Sequence, residues 1–316
     1  MTIIAALPRS SLHLQLLAAN DPGVTHVLYR DDHIAGQVER LFPGKGVPLG
    51  REQRPPRNPL ALPARFAANS RYYASVRGML TPLGIERLIL FLEGEPLERM
   101  LVRWFAGPVE LWEDGLSHYV DLTSPLWYAA RGAVQIASGF YPHGAMRRRA
   151  DRSAMIVRDR FEARDLSLPK PNPAPPEDRI LIIGSPLAED GIVPRARVAE
   201  GLAKIAAASP VPACYLPHPR EDASALTAMI GPIDGLEIAA QPHGIAPHVE
   251  AHGYAGFLAA ASTALLDLGQ FDRSLFVPRL FGLERMHRAL SGWQANPVPV
   301  VHGMSGLEQR LAAIKP

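Results

Sequence analysis

Short apolar runs, each closed by glycine, proline or a polar cluster, alternate along the chain with longer amphipathic stretches. The second half shows this most plainly. Residues 179–184 (RILIIG) read as a short buried strand, 194–208 as a helix with Pro194 in its first turn, and 211–216 (VPACYL) as another strand. Strand, helix and strand joined by short loops predict a βαβ unit of a parallel sheet. Further strands are expected at 236–240 and 256–260, a short helix at 245–251, and a helix beginning near Ser262. The first half repeats the grammar. A strand at 2–7 precedes a cap at Ser10 or Ser11 and a helix to Ala19, and a second strand covers 26–30. Residues 88–93 (LILFLE) and 109–112 (VELW) are further strands, with 95–105 helical between them.

The halves meet at 166–178, LSLPKPNPAPPED, where the prolines exclude helix and central strand and favour an extended linker. The expected organisation is therefore a first Rossmann-like domain over 1–165, the linker over 166–178 and a second Rossmann-like domain over 179–316. Composition agrees with two packed domains. The chain has 316 residues, 47% hydrophobic and 20% charged, which excludes wholesale disorder and coiled coil. Its 26 glycines and 31 prolines are spread as punctuation between short elements. No repeat of fixed period, Gly-x-Gly-x-x-Gly or Walker motif is present, which weakens the ordinary dinucleotide and nucleoside-triphosphate readings.

Charge and cysteine content narrow the picture further. The formal net charge of +2 argues no nucleic-acid partner. Local clusters at Arg147, Arg148, Arg149 and Arg152, and at Arg51, Arg54 and Arg57, are either solvated surface or the footprint of an anionic partner, for the first cluster an anionic membrane face. Cys214 is the single cysteine, so no internal disulfide forms. His248 and His252 stand at i and i+4, but no third ligand and no zinc spacing accompany them, and no metal is expected. Without a basic n-region at the start or a run of about 20 apolar residues, the sequence predicts a cytoplasmic protein, with contact to a membrane, if any, peripheral.

Four tracts could carry chemistry, each at the end of an expected strand, where open α/β sheets bind ligands. Glu113-Asp114-Gly115 follows VELW and places two carboxylates there; either is a candidate general base, and Asp-Gly is also a common turn. His218-Pro219-Arg220 follows VPACYL, its prolines stiffening a loop whose histidine and arginine can donate to a phosphate; a plain loop histidine is the alternative. Ser262-Thr263 falls where a helix cap is wanted, a place that also suits a phosphate. Gly184-Ser185-Pro186 allows a backbone to approach a ligand closely, or forms a turn. Among the aromatics, Trp127 and Tyr128 are the candidates for stacking on a sugar, while Trp104, Trp112 and Trp293 read as packing.

In order and spacing, the tracts ELWEDGLSHY (from Glu110), IIGSPLAEDGIV (from Ile182), CYLPHPRE (from Cys214) and AAASTALLDL (from Ala259) resemble the bacterial lipooligosaccharide sialyltransferases of glycosyltransferase family 52. Capsule polysialyltransferases share the acidic-Asp-Gly, His-Pro and paired-hydroxyl motifs. In family 52 the Gly-Ser-Pro position is usually Gly-Gln-Pro, so Ser185 is a departure. The resemblance implies a GT-B fold, two Rossmann-like domains facing a central cleft, with a CMP-sugar donor held by the second and a glycan acceptor by the first. Asp114 would be the base for the acceptor hydroxyl with Glu113 beside it, and His218 would assist departure of CMP. Gly184, Ser185, Pro186, Pro219, Arg220, Ser262 and Thr263 would line the nucleotide.

The implied reaction is inverting transfer of sialic acid or a related nonulosonic acid to lipooligosaccharide, capsule or glycoprotein, a step of cell-surface polysaccharide biosynthesis without cofactor or metal. A donor such as CMP-Kdo or a UDP-hexose, or a catalytically idle nucleotide-binding module, are the competing expectations, and the chain leaves room for a homodimer.

Overall fold

The computed structural model describes residues 2–30, 32–56, 58–112, 115–120, 125–142, 161–162, 171–239 and 245–314. Two compact units divide the chain, Met1–Pro169 and Lys170–Pro316.

In the first unit, in chain order, lie β1 (Ile4–Leu7), α1 (Ser11–Asn20), β2 (His26–Tyr29), α2 (Asp32–Leu41), β3 (Gly46–Pro48) and α3 (Leu62–Leu80). They are followed by β4 (Arg87–Leu90), α4 (Pro96–Trp104), β5 (Val109–Leu111), α5 (Pro125–Ala137) and β6 (Phe161–Glu162). The strands form one parallel sheet in the order β3-β2-β1-β4-β5-β6. Alternate side chains of each strand enter opposite cores. Ala5, Leu7, Leu88 and Leu90 pack with Tyr73, Val76 and Leu80 of α3 and with Leu97, Met100 and Leu101 of α4. Ala6 and Ile89 face Leu14 and Leu17 of α1 and Ile34 and Val38 of α2. Coverage of both faces is what makes these strands read as continuous apolar runs.

The second unit holds β7 (Ile180–Ile183), α6 (Arg195–Ala208), β8 (Ala213–Leu216), α7 (Ala223–Ile230), β9 (Leu236–Ile238) and α8 (Ile245–Ala251). After these come β10 (Gly256–Ala259), α9 (Ala264–Leu268), β11 (Ser274–Phe276), α10 (Glu284–Gly292) and α11 (Met304–Ala313). Its parallel sheet runs β11-β10-β7-β8-β9. Ile180, Ile182, Tyr215 and Leu258 pack under Val198, Leu202 and Ile205 of α6 and Leu307 and Leu311 of α11. Both sheets therefore have the doubly wound order in which the chain builds outward from the first strand, then returns to its other side.

Ser10 is the cap of α1, its hydroxyl accepting from the His13 amide at 3.4 Å. The strands are one or two residues shorter than their apolar runs suggest, because the flanking residues bend into loops. The longest helix, α3, has no counterpart among the expected elements. Its buried stripe is Asn69, Tyr73, Val76 and Leu80, a helical spacing that starts with a polar residue. Asn69 is buried because its amide accepts from the Gln53 N–H at 2.8 Å and donates to the carbonyls of Gln53 at 3.0 Å and Ser138 at 2.8 Å. Among the described residues no helix is long and apolar enough to cross a membrane.

Candidate functional site

In the second sheet Ile183 of β7 stands in register between Leu216 of β8 and Ala259 of β10. Strands in a sheet lie about 4.8 Å apart. The three segments that follow this row, Gly184-Ser185-Pro186, Pro217-His218-Pro219 and Ala260-Ala261-Ser262-Thr263, therefore leave the carboxyl edge side by side. Since β10 lies on the opposite side of β7 from β8, the gap between β7 and β10 is where the winding reverses, the usual ligand position in such sheets. Three of the four sequence motifs are thus brought together by backbone pairing alone. Ser185 reinforces the arrangement, its hydroxyl donating to the Ala261 carbonyl at 3.0 Å and tying the Gly-Ser-Pro turn to the Ser-Thr segment.

Gly184 has a steric reason that the sequence did not reveal. A Cβ there would lie 2.7 Å from the His218 nitrogen and 2.8 Å from the Leu216 carbonyl oxygen, and against the Glu221 carboxylate as well. The space that close approach would have given to a ligand is taken by the chain itself.

His218 is half-buried, between the buried Pro217 and the exposed Pro219. Its Nδ1 accepts from the Arg220 amide at 3.1 Å, which leaves the proton of the neutral ring on Nε2. Arg220 itself makes two bonds to Asp190, at 2.7 and 3.0 Å. Glu189, next to Asp190, accepts from Arg195 at 3.1 Å and from the Asp222 amide at 3.3 Å, so the loop after β7 is fastened to the His218 turn. Partial burial pushes the Glu189 carboxyl up, but these bonds more than offset it and hold it below the ordinary range.

Beneath the turn lies Glu221, the residue directly after the His218-Pro219-Arg220 motif. It is 9% exposed. One carboxylate oxygen accepts the Tyr215 hydroxyl at 2.6 Å and the other the His218 amide at 2.5 Å, while the Glu221 amide donates to the His218 carbonyl at 2.8 Å. Burial raises its carboxyl to about 7, with the two donated bonds opposing the rise and the Glu189 charge adding to it. Tyr215, on β8, is held a phenol by the same burial and by Glu221. The only advance signal for Glu221 was an acid three residues beyond the histidine.

Ser262 and Thr263 open α9. Ser262 Oγ accepts the Ala264 amide at 3.3 Å, and Thr263 takes the cap position without capping through its own side chain. With five residues, α9 is too short to supply much of a helix dipole. Stabilisation of an anion at this edge would fall to hydroxyls, amides and His218.

In the first sheet, β5 is followed by Trp112, fully buried, whose indole N–H donates to Glu110 at 2.7 Å; Glu110 also accepts from Arg87 at 2.7 Å. Glu113 and Asp114 come next and lie outside the described residues, as do Arg57, Arg147, Arg148, Arg149, Arg152 and the side chains of Trp127 and Tyr128. On the far side of the acidic pair, Gly115 has φ 123° and ψ −149°, a conformation essentially confined to glycine. A buried tryptophan before it and a glycine-only turn after it thus bracket the pair. Beyond β1 and β2, Arg9 pairs with the fully buried Glu98 at 2.7 Å and Arg30 with Glu52 at 2.6 Å, two part-buried ion pairs that no sequence motif announces.

Among the described residues no three His, Cys, Asp or Glu side chains are grouped to hold a metal ion. His248 uses its Nε2 on the Tyr254 hydroxyl at 2.6 Å, with the His252 ring 5.0 Å away.

No protein-family model matches the chain, and no curated protein matches it in sequence. Solved structures do. The spinosyn rhamnosyltransferase SpnG complexed with thymidine diphosphate is 11% identical with a TM-score of 0.55, the match covering 99% of this chain and 91% of that one. The calicheamicin glycosyltransferase CalG4 is 12% identical with a TM-score of 0.54, over 99% and 90%. The UDP-GlcNAc 2-epimerase of Methanocaldococcus jannaschii, in complex with UDP-GlcNAc and UDP, is 9% identical with a TM-score of 0.55, over 99% and 92%. Two doubly wound parallel sheets in tandem, matched along nearly the whole chain by these proteins, identify its fold as GT-B.

Proposed function

We propose that the chain is an inverting glycosyltransferase that moves sialic acid or a related nonulosonic acid from a CMP-sugar to a glycan acceptor. The observation that carries this reading is the convergence of Gly184-Ser185-Pro186, His218 and Ser262-Thr263 at the reversal point of the second sheet. The donor phosphate would be bound there by the Nε2–H of His218, the hydroxyls of Ser262 and Thr263, and backbone amides; Pro186, Pro219 and Arg220 would shape the surrounding loops. Resemblance of the four tracts to family 52 sialyltransferases supports CMP as the nucleotide.

Chemically, the acceptor hydroxyl oxygen bonds to the anomeric carbon as the bond from that carbon to the CMP phosphate oxygen breaks. The acceptor proton passes to Asp114, with Glu113 beside it, and the departing phosphate gains a hydrogen bond from His218. Positioned donors at a leaving group and a base at the nucleophile act where charge develops, and neither role calls for a metal. The acceptor class that fits is a surface glycolipid, capsule chain or glycoprotein, with a lipid-linked acceptor approached from the membrane surface.

A second reading, a nucleoside-diphosphate-sugar donor, is favoured by what the structural neighbours bind, thymidine diphosphate in SpnG and UDP-GlcNAc in the epimerase. Nucleotide release without acceptor separates the readings. Given CMP-sialic acid, CMP-Kdo, UDP-GlcNAc and a TDP-hexose in turn, the protein is expected to release CMP from CMP-sialic acid. CMP at 100 times its Kd should also stabilise the fold by about 2.7 kcal/mol. Release of UDP or TDP alone would support the second reading against the first. Stabilisation by CMP without any release would support an idle binding module.

A further inference from the structure

Glu221 is a buried acid next to the start of α7, but it is not the cap of that helix. The cap of α7 is already supplied by Asp222, whose carboxylate accepts the Ala225 amide at 3.0 Å. A buried carboxylate is costly unless its hydrogen bonds are made, and two of those of Glu221 reach the strand below the turn and the backbone of His218. With the reverse bond from the Glu221 amide to the His218 carbonyl, the turn is closed in both directions. The Arg220 amide, held within the same turn, selects the ring tautomer. Gly184 leaves room for the carboxylate to pass beneath. The other charged groups around the turn are already engaged, Asp190 with Arg220 and Glu189 with Arg195.

We propose that Glu221 is the positioning residue for His218: its carboxylate clamps the turn backbone against Tyr215 and so fixes where the imidazole Nε2–H is presented to the donor phosphate. This rests on His218 acting on that phosphate, as proposed above. Glu221 acts through His218 and touches no reacting atom. An amide in its place can serve the same geometry, its oxygen accepting from the His218 N–H and its NH₂ donating to the Tyr215 hydroxyl, whereas alanine leaves both partners without their bonds.

The test uses the full chain with ¹⁵N-labelled histidine, wild type beside Glu221→Ala, Glu221→Gln and Tyr215→Phe, with His218→Ala to assign the ring signals. Two quantities are read, the tautomer of His218 by NMR without donor and the rate of CMP release from CMP-sialic acid. In the wild type the ring should carry its proton on Nε2. Glu221→Ala should average the two tautomers and lower kcat roughly 10- to 100-fold, with the donor KM changed less, the scale expected for an active-site group displaced by about 1 Å. Glu221→Gln should restore both readouts to within about threefold of wild type. Tyr215→Phe removes one of the two anchoring bonds and should fall between; it carries the test if Glu221→Ala does not fold. An unchanged tautomer and kcat in Glu221→Ala, or in Tyr215→Phe should that variant stand in for it, would overturn the proposal, as would a Glu221→Gln no better than alanine. If instead Glu221→Ala loses the tautomer signature while His218→Ala keeps full turnover, the clamp stands and the donor role of His218 fails.

Discussion

Asp114→Asn is expected to lower turnover by roughly two to four orders of magnitude, the range general-base catalysis contributes. The amide is close in shape to the carboxylate but cannot take the acceptor's proton, so donor affinity should change little. The expectation comes from the place of the residue in the chain. It is two residues past fully buried Trp112, anchored through Glu110 and Arg87, and next to Gly115, whose φ of 123° few other residues could adopt. Steady-state kinetics with a fixed acceptor, together with CMP affinity by calorimetry, provide the check. A normal rate in the variant would remove Asp114 from the mechanism, and a lost affinity for CMP would move the residue to the donor.

The second large effect is on stability. Glu221 has a carboxyl raised by burial from 4.5 to about 7 in the folded chain, and in the unfolded chain it returns to the ordinary value. Between those values the folded state holds a proton that the unfolded state has released. Its stabilisation is therefore full below pH 4.5 and is lost as pH rises through about 7. A difference of that size corresponds to about 3 kcal/mol, or roughly 6–12 °C in the melting temperature of a domain this large. Tyr215 stays a neutral donor over this range, and Glu189, lowered by Arg195, runs in the opposite sense. The comparison that isolates Glu221 is melting temperature against pH for wild type and Glu221→Gln. The wild type should lose stability relative to the variant as pH rises from about 5 to 8. Parallel curves would show that the carboxyl titrates as an exposed one does.

Much of the architecture was legible because a sheet covered on both faces writes itself as short unbroken apolar runs. RILIIG and VPACYL each contain a strand, LILFLE overlaps one that begins a residue earlier, and the Ser10 cap was visible as a hydroxyl before an apolar helix. Where burial is mixed with polarity the signal fades. In α3 the buried stripe begins with Asn69, and its exposed positions include Phe66, so neither the apolar nor the polar residues trace a clean face. β6 consists of two residues, too few to show a period. Three candidate motifs could be placed at strand ends from sequence, but their alignment across β8, β7 and β10 needed the register. Glu221 was hidden for a different reason. An acid in PHPRE reads as solvated loop, and only the packing of Gly184 over it shows that it is enclosed.

The most direct test of the account is hydrogen exchange on the full chain with and without CMP. Exchange should slow at the non-proline amides of 184–187, 217–221 and 261–265, the three segments that leave the carboxyl edge of the second sheet together. No change is expected at the amides of 213–214 and 235–237, at the opposite edge of that sheet. Protection confined to the first domain, or to that opposite edge, would contradict it.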